Sequence, residues 1–261
     1  GAGEKAGPAP YDHGAAYLKL ATAHHILGQH PEALMVAAVG MTLSPALKTD
    51  AHLLTMMGLS ELAVGNTQRG LVRFKQAAAV DKTATTPLLN IATMQLKKLD
   101  LEAAAKLLRE VIARDQANYM ARVALPVALR RLQKGGEALA LLDELVKQHP
   151  TRPEGHYNRC VIAQAVLGAT NKRVDVERAV KACEEAYEAH SKRSPNRPKL
   201  KKRVDGLKGT LEFMEPEPAP GAAAPGGAAG GADAAPADAK PADAKPADAT
   251  PADAKPDDAA K

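Results

Sequence analysis

The residues with the most evident chemical capacity are a histidine group near the N-terminus and a histidine with two cysteines in the second half. The first is His24, His25 and His30; the second is His156, Cys160 and Cys183. A metal site needs two ligands on one face and further ligands within reach. Adjacent His24 and His25 point to different sides of a helix, so packed or solvated histidines are the expected reading. His156 and Cys160 are four apart, a spacing at which a Cys–His nucleophile is geometrically conceivable. Yet Cys160 falls on a close-packing position, where burial disfavours the thiolate and bars a substrate. Cys160 and Cys183 are expected on facing helices, about one turn out of step. A disulfide is compatible with that placement, and two small thiols filling a helix interface are the preferred reading. Two cysteines are too few for a disulfide framework and have the wrong spacing for zinc. No Gly-rich phosphate loop follows a strand, and no serine sits in a nucleophile elbow. The chain therefore reads as non-enzymatic, with no cofactor and no small-molecule substrate.

A second kind of site is electrostatic. Lys192, Arg193, Arg197, Lys199, Lys201, Lys202 and Arg203 form a basic cluster. Such a run is ordinarily a solvated face; the alternative is contact with nucleic acid, anionic lipid or an acidic protein.

Whatever these residues do, helical hairpins must position them. Residues 17–45 read as two short amphipathic helices joined by a turn at Gly28, with Pro31 and Glu32 opening the second and Pro45 ending it. Small residues at Ala21, Ala33 and Gly40 sit where the two helices approach, with Tyr17 and Leu20 filling the space around them. The pattern recurs. Ala21, Gly58, Ala92, Pro126 and Cys160 are separated by 37, 34, 34 and 34 residues. Their second-helix partners Ala33, Gly70, Ala104 and Ala138 each follow by twelve, and Gly40, Ala77, Val111 and Leu145 by seven more. This arrangement resembles the tetratricopeptide repeat (TPR) family over about residues 11–190. The resemblance implies an all-α, right-handed superhelix of about five hairpins that works as a binding scaffold.

The expected helices are about 11–27 and 30–43, 50–64 and 67–80, 85–98 and 101–114, 117–132 and 135–148, and 153–167 and 173–190. Asn66 or Thr67, and Asp100, are the expected caps of two second helices. Met57 is expected in the core. Pro126 stands mid-helix, where a kink is expected, and Arg122 replaces the large apolar residue of that position. Three extra residues fall within 46–50. The last hairpin has seven more between its arms, to be absorbed by one additional turn on each helix. Leu200, Val204, Leu207, Leu211 and Met214 form one apolar stripe, the mark of a capping helix within 191–214.

Aromatic residues make up only 3% and Trp is absent, so the core is built from Leu, Ala, Val and Met. No run of eighteen apolar residues exists. Residues 1–10 read as a flexible N-terminus. From 215 to 261 the chain is rich in Ala, Pro, Asp and Lys, with PADAK recurring at Pro236, Pro241 and Pro251. That composition cannot bury a core and predicts a disordered tail. The tail carries nine acidic against four basic residues, and with +5 on the whole chain the remainder carries about +10. A Gly at position 1 is read as the trace of a removed leader or an added residue.

In a TPR superhelix the first helix of each hairpin lines the inner face. The residues three before, one after and four after each close-approach position should then point inward. They are Leu18, Thr22 and His25; Thr55, Leu59 and Leu62; Leu89, Thr93 and Leu96; Val123, Val127 and Arg130; and Tyr157, Val161 and Gln164. Nine of the fifteen are apolar, Tyr157 included, which is more than a solvated groove needs and suits an apolar or amphipathic protein segment. Leu59, Leu62, Leu89, Leu96 and Val127 would form its floor, with Arg130 and Tyr157 at its border. The Lys and Asn pattern by which some TPR domains clamp a C-terminal carboxylate is absent. Tail and repeats together resemble, in style, bacterial cell-envelope TPR lipoproteins attached to gliding-motility and type IV pilus machines. That likeness implies a periplasmic or envelope location within a multiprotein complex; the competing class is a cytoplasmic regulator acting through the basic cluster.

Overall fold

The computed structural model describes residues 13–170 and 172–215. The expectations for residues 1–10 and for the tail beyond residue 215 lie outside these described residues. What is described is all-helical, with no strand among the described residues.

Five hairpins follow one another. They are α1 (His13–Ile26) with α2 (His30–Leu43), α3 (Ala51–Ala63) with α4 (Thr67–Val80), and α5 (Thr86–Lys97) with α6 (Leu101–Arg114). Then come α7 (Tyr119–Arg131) with α8 (Gly135–Gln148), α9 (Pro153–Val166) with α10 (Arg173–Ala189), and a last helix, α11 (Arg197–Glu212). Each helix packs against its sequence neighbours. The first helices of successive hairpins also meet, α1 with α3, α5 with α7 and α7 with α9, more closely than any two second helices do among the described residues. That asymmetry puts the odd-numbered helices on the tighter, inner side of the stack.

The small residues work as their spacing demanded. Ala21, Ala33, Ala92, Ala104 and Ala138 are fully buried. A Cβ on Gly58 would stand 2.6 Å from the Phe74 ring, so this position must be glycine for α4 to reach α3. Four hairpins turn in the same way. Gly28, Gly65, Leu99 and Gln133 all have positive φ, and each precedes an N–H that reaches back five residues: Gln29 to His24, Asn66 to Glu61, Asp100 to Gln95, and Lys134 to Leu129. This closes the first helix and reverses the chain. Only the first two turns use glycine. Leu99 and Gln133 hold a left-handed conformation that costs about 1 kcal/mol or more, and the flanking helices impose it.

A second regularity links hairpins. Hydrogen bonds join residues 35 apart, one more than the later 34-residue intervals and two fewer than the first interval of 37: His25 Nδ1 with Ser60 Oγ at 2.8 Å, Arg131 donating to the Leu96 carbonyl at 3.3 Å, and Asn158 donating to the Val123 carbonyl at 3.2 Å. Such bonds pin the rotation of one hairpin on the next.

Several local expectations need correction. Asn66 and Asp100 occupy cap positions, but neither side chain bonds the helix it precedes. Asn66 instead donates to Glu61 at 2.8 Å, satisfying a nearly buried carboxylate. Side-chain caps come from Asp50, accepting from the Leu53 N–H at 2.7 Å, and Asn118, accepting from Ala121 at 3.1 Å. The extra residues before α3 form a short 3-10 helix, Pro45–Thr49, which buries Leu47. The insertion in the last hairpin does not lengthen both arms: α9 keeps fourteen residues, α10 has seventeen, and the rest lies in the connection. Helix α7 runs unbroken through Pro126.

The preference for two free thiols is overturned. Cys160 and Cys183 form a disulfide, with Cα atoms 4.4 Å apart. The close approach of α9 and α10, which small residues permit, brings the sulfurs into bonding range. It also removes the thiol that a His156–Cys160 pair needs. Around this bridge pack Val176, Ala179, Ala186 and, from α11, Leu200, Val204 and Leu207. The stripe thus covers the fifth hairpin, and each buried leucine contributes about 1.5–3 kcal/mol.

Candidate functional site

No group of histidine, cysteine and carboxylate side chains suited to a metal ion occurs among the described residues. His24 bonds Gln29 at 2.6 Å while His25 bonds Ser60 on the next hairpin. His156 is nearly buried and its Nε2 faces the Pro150 carbonyl at 2.9 Å. These rings are structural joints.

The fifteen inward-facing candidates all lie on α1, α3, α5, α7 and α9, hence in one layer. Their burial divides them. Leu96 and Val123, both 8% exposed, belong to the core and cannot form a free floor. The bonds from Arg131 and Asn158 to their carbonyls show why: the neighbouring inner helix closes over them. Leu18, Leu59, Leu62, Leu89 and Tyr157 are half-buried with one side against core clusters. Val127 and Val161 are equally half-buried but belong to none of those clusters.

The threonines and Gln164 of the layer are satisfied internally or by neighbours. Thr22 donates to the Leu18 carbonyl at 2.8 Å, Thr55 to Ala51 at 2.7 Å, and Thr93 to Leu89 at 2.9 Å. A threonine whose hydroxyl is turned onto its own helix offers the layer mainly its methyl group. Gln164 accepts a hydrogen bond from Arg203 of α11. The structure thereby joins two candidate regions that stood apart in sequence, since Arg203 belongs to the basic cluster and Gln164 to the inner set. Arg130 lies within electrostatic reach of Arg203, and burial, then Arg131 and Arg203, hold its guanidinium below the usual arginine range.

The remaining basic residues separate. Arg197 donates to the carbonyls of Tyr187 at 3.0 Å and His190 at 2.6 Å, and its guanidinium lies 3.9 Å from the centre of the Tyr187 ring. It closes the C-terminal end of α10. Lys192, Arg193, Lys199, Lys201 and Lys202 are exposed. Arg131 and Asn158 were missed as inner-layer residues. Their signal was the 35-residue separation, one beyond the repeat, at which a side chain meets the carbonyl of the preceding hairpin.

No protein-family model matches the chain, and no curated protein sequence does. Solved structures do match. A MamA structure from Desulfovibrio magneticus RS-1, beginning at residue 41 of that protein, superposes with a TM-score of 0.59 at 18% identity, covering 69% of this chain and 97% of that one. YrrB, a TPR protein with an unusual peptide-binding site, gives 0.57 at 15% identity over 74% of this chain and 90% of its own. The chain has the tetratricopeptide-repeat fold. A further MamA structure gives 0.56 at 14% identity over 68% of this chain and 91% of that one. In the TPR arrangement the odd-numbered helices are the inner helices, the layer that carries the candidate residues.

Proposed function

We propose that this TPR protein is a non-enzymatic scaffold that captures an apolar or amphipathic segment of a partner protein along its inner layer. The observation that carries the reading is the uncommitted apolar strip on that layer. Val127 and Val161 stand outside every core cluster, and the threonine hydroxyls beside the strip are turned onto their own helices. Half-buried apolar groups that stand outside the core clusters are what a docking segment needs. Leu59, Leu62 and Leu89, on the preceding inner helices α3 and α5, are themselves held by packing, so that part of the layer is preorganised. YrrB, a TPR protein of similar fold with a peptide-binding site, lends analogy.

The disulfide supports an oxidising compartment, in keeping with a place in a bacterial envelope complex such as a motility or pilus machine. Binding of nucleic acid or anionic lipid through residues 192–203 is the weaker reading, because Arg197 is tied into the fold by two backbone carbonyls.

A random peptide display library panned on the full chain tests the proposal. Enrichment of peptides with regularly spaced apolar residues is expected. Val127→Gln combined with Val161→Gln should abolish that enrichment while leaving the melting temperature within a few degrees. Undiminished enrichment on the folded variant rejects the strip as the binding face.

A further inference from the structure

We infer that the C-terminal end of the inner layer recognises carboxylates, so that the segment captured there carries acidic residues beside its apolar ones. This deepens the scaffold reading and rests on it. The fourth residue after each close-approach position forms a row across the inner helices: His25, Leu62, Leu96, Arg130 and Gln164. Arg203 of α11 extends the row by bonding Gln164. Beyond His25 the row passes from two leucines to Arg130 and, through Gln164, to Arg203.

Arg130, Arg131 and Arg203 take part in none of the ion pairs found among the described residues. Arg131 donates to the Leu96 carbonyl and Arg203 to the Gln164 side-chain oxygen, both neutral acceptors. A guanidinium has five N–H donors in a planar fork, so most of this donor capacity is unspent. Arg130 is half-buried, and a half-buried cation beside two others is electrostatically unfavourable until an anion arrives. A carboxylate accepts two parallel N–H bonds from such a fork. The depressed proton affinity of Arg130 has the same origin, in burial and in Arg131 and Arg203. Continuity with Val127, one turn earlier on the same helix, favours a peptide bearing side chains. A nucleic-acid backbone would instead need a long track of cations.

The library experiment is extended to the full chain carrying Arg130→Gln with Arg203→Gln. Wild-type protein should recover peptides that combine apolar residues with Asp or Glu, and the variant should keep the apolar preference and lose the acidic one. The strongest wild-type peptide is then synthesised beside its Asn/Gln counterpart. The uncharged peptide should bind wild type at least about tenfold more weakly and the variant within about twofold of the acidic one. If the double glutamine variant fails to fold, the pair Arg130→Lys and Arg203→Lys replaces it, with a several-fold loss expected because lysine lacks the fork. Equal affinity of the two peptides for wild type overturns the carboxylate site and leaves the groove standing. Recovery of no peptide overturns both. Displacement of the acidic peptide by a single-stranded oligonucleotide, lost in the variant, reassigns the arginines to nucleic acid and overturns the proposal.

Discussion

The two ends of the helical stack solve the same problem differently. Each inner helix carries, one residue before its close-approach position, a side chain aimed at the preceding hairpin. Met57, Ile91 and Leu125 hold that position at 3%, 6% and 5% exposure, whereas Leu20, with no earlier hairpin among the described residues, is 48% exposed. Ile26, Met35, Val39 and Leu43 are also exposed on α1 and α2, as is Leu27 in the turn between them. The positions of Met35, Val39 and Leu43 are taken on α6 by Lys106, Glu110 and Arg114, the last two an ion pair. The far end is closed. Arg159, the same position in the fifth hairpin, pairs with Asp143 and Glu185. Beyond it α11 lays Leu200, Val204 and Leu207 over the disulfide and turns Lys202, Asp205 and Lys208 outward. A repeat leaves an apolar face at each end of its array, and only a helix with a polar outer side finishes it without exposing hydrocarbon.

Charge placed at matching points of the two ends gives the largest expected contrast. Leu207→Asp buries an unpaired carboxylate against the fifth hairpin and should lose several kcal/mol. Leu20→Asp, on the exposed first helix, should change stability by less than about 0.5 kcal/mol. Urea unfolding of both variants checks the pair; equal losses would mean that Leu20 is covered.

The disulfide sharpens the contrast further. Replacing Cys160 and Cys183 with Ala should lower stability by about 3 kcal/mol for the 23-residue separation they span. Wild-type protein under reductant should fall to the same value, and indifference to reductant would deny the bond a role.

Acid should act at the other end, and weakly. Burial, followed by His30 and His52, holds the His25 imidazole below its usual 6.5. The folded chain therefore keeps it neutral where the unfolded chain has already bound a proton. That contribution is full above about pH 6.5 and is lost as pH falls below it. Melting curves between pH 7.5 and 5 should show a decline that His25→Gln reduces, and an identical decline in the variant would place the sensitivity elsewhere.

Much of the architecture was legible because one physical constraint repeats. Close helix packing admits only small residues, so Ala21, Gly58 and Ala92 announce the hairpins at a fixed spacing, and a stripe of leucines announces the last helix. The resemblance to TPR proteins that this spacing supports also implied which helices form the inner layer. It could not say how deeply each side chain of that layer lies, because burial depends on how far the next inner helix leans across. Leu96 and Val123 went to the core by that lean, and Val127 and Val161 did not.

Sequence alone thus determined the number of hairpins and their boundaries to within a few residues. These follow from local propensity and from a packing rule that each repeat obeys separately. Tertiary structure decided the rest. It bonded Cys160 to Cys183, since the fit of α9 on α10 sets the distance between the sulfurs. It forced Leu99 and Gln133 into the turn that Gly28 and Gly65 enter freely. It brought Arg203 beside Gln164 and Arg130, a meeting of residues from three helices. No spacing encodes such a meeting, because it depends on the rotation accumulated from one hairpin to the next.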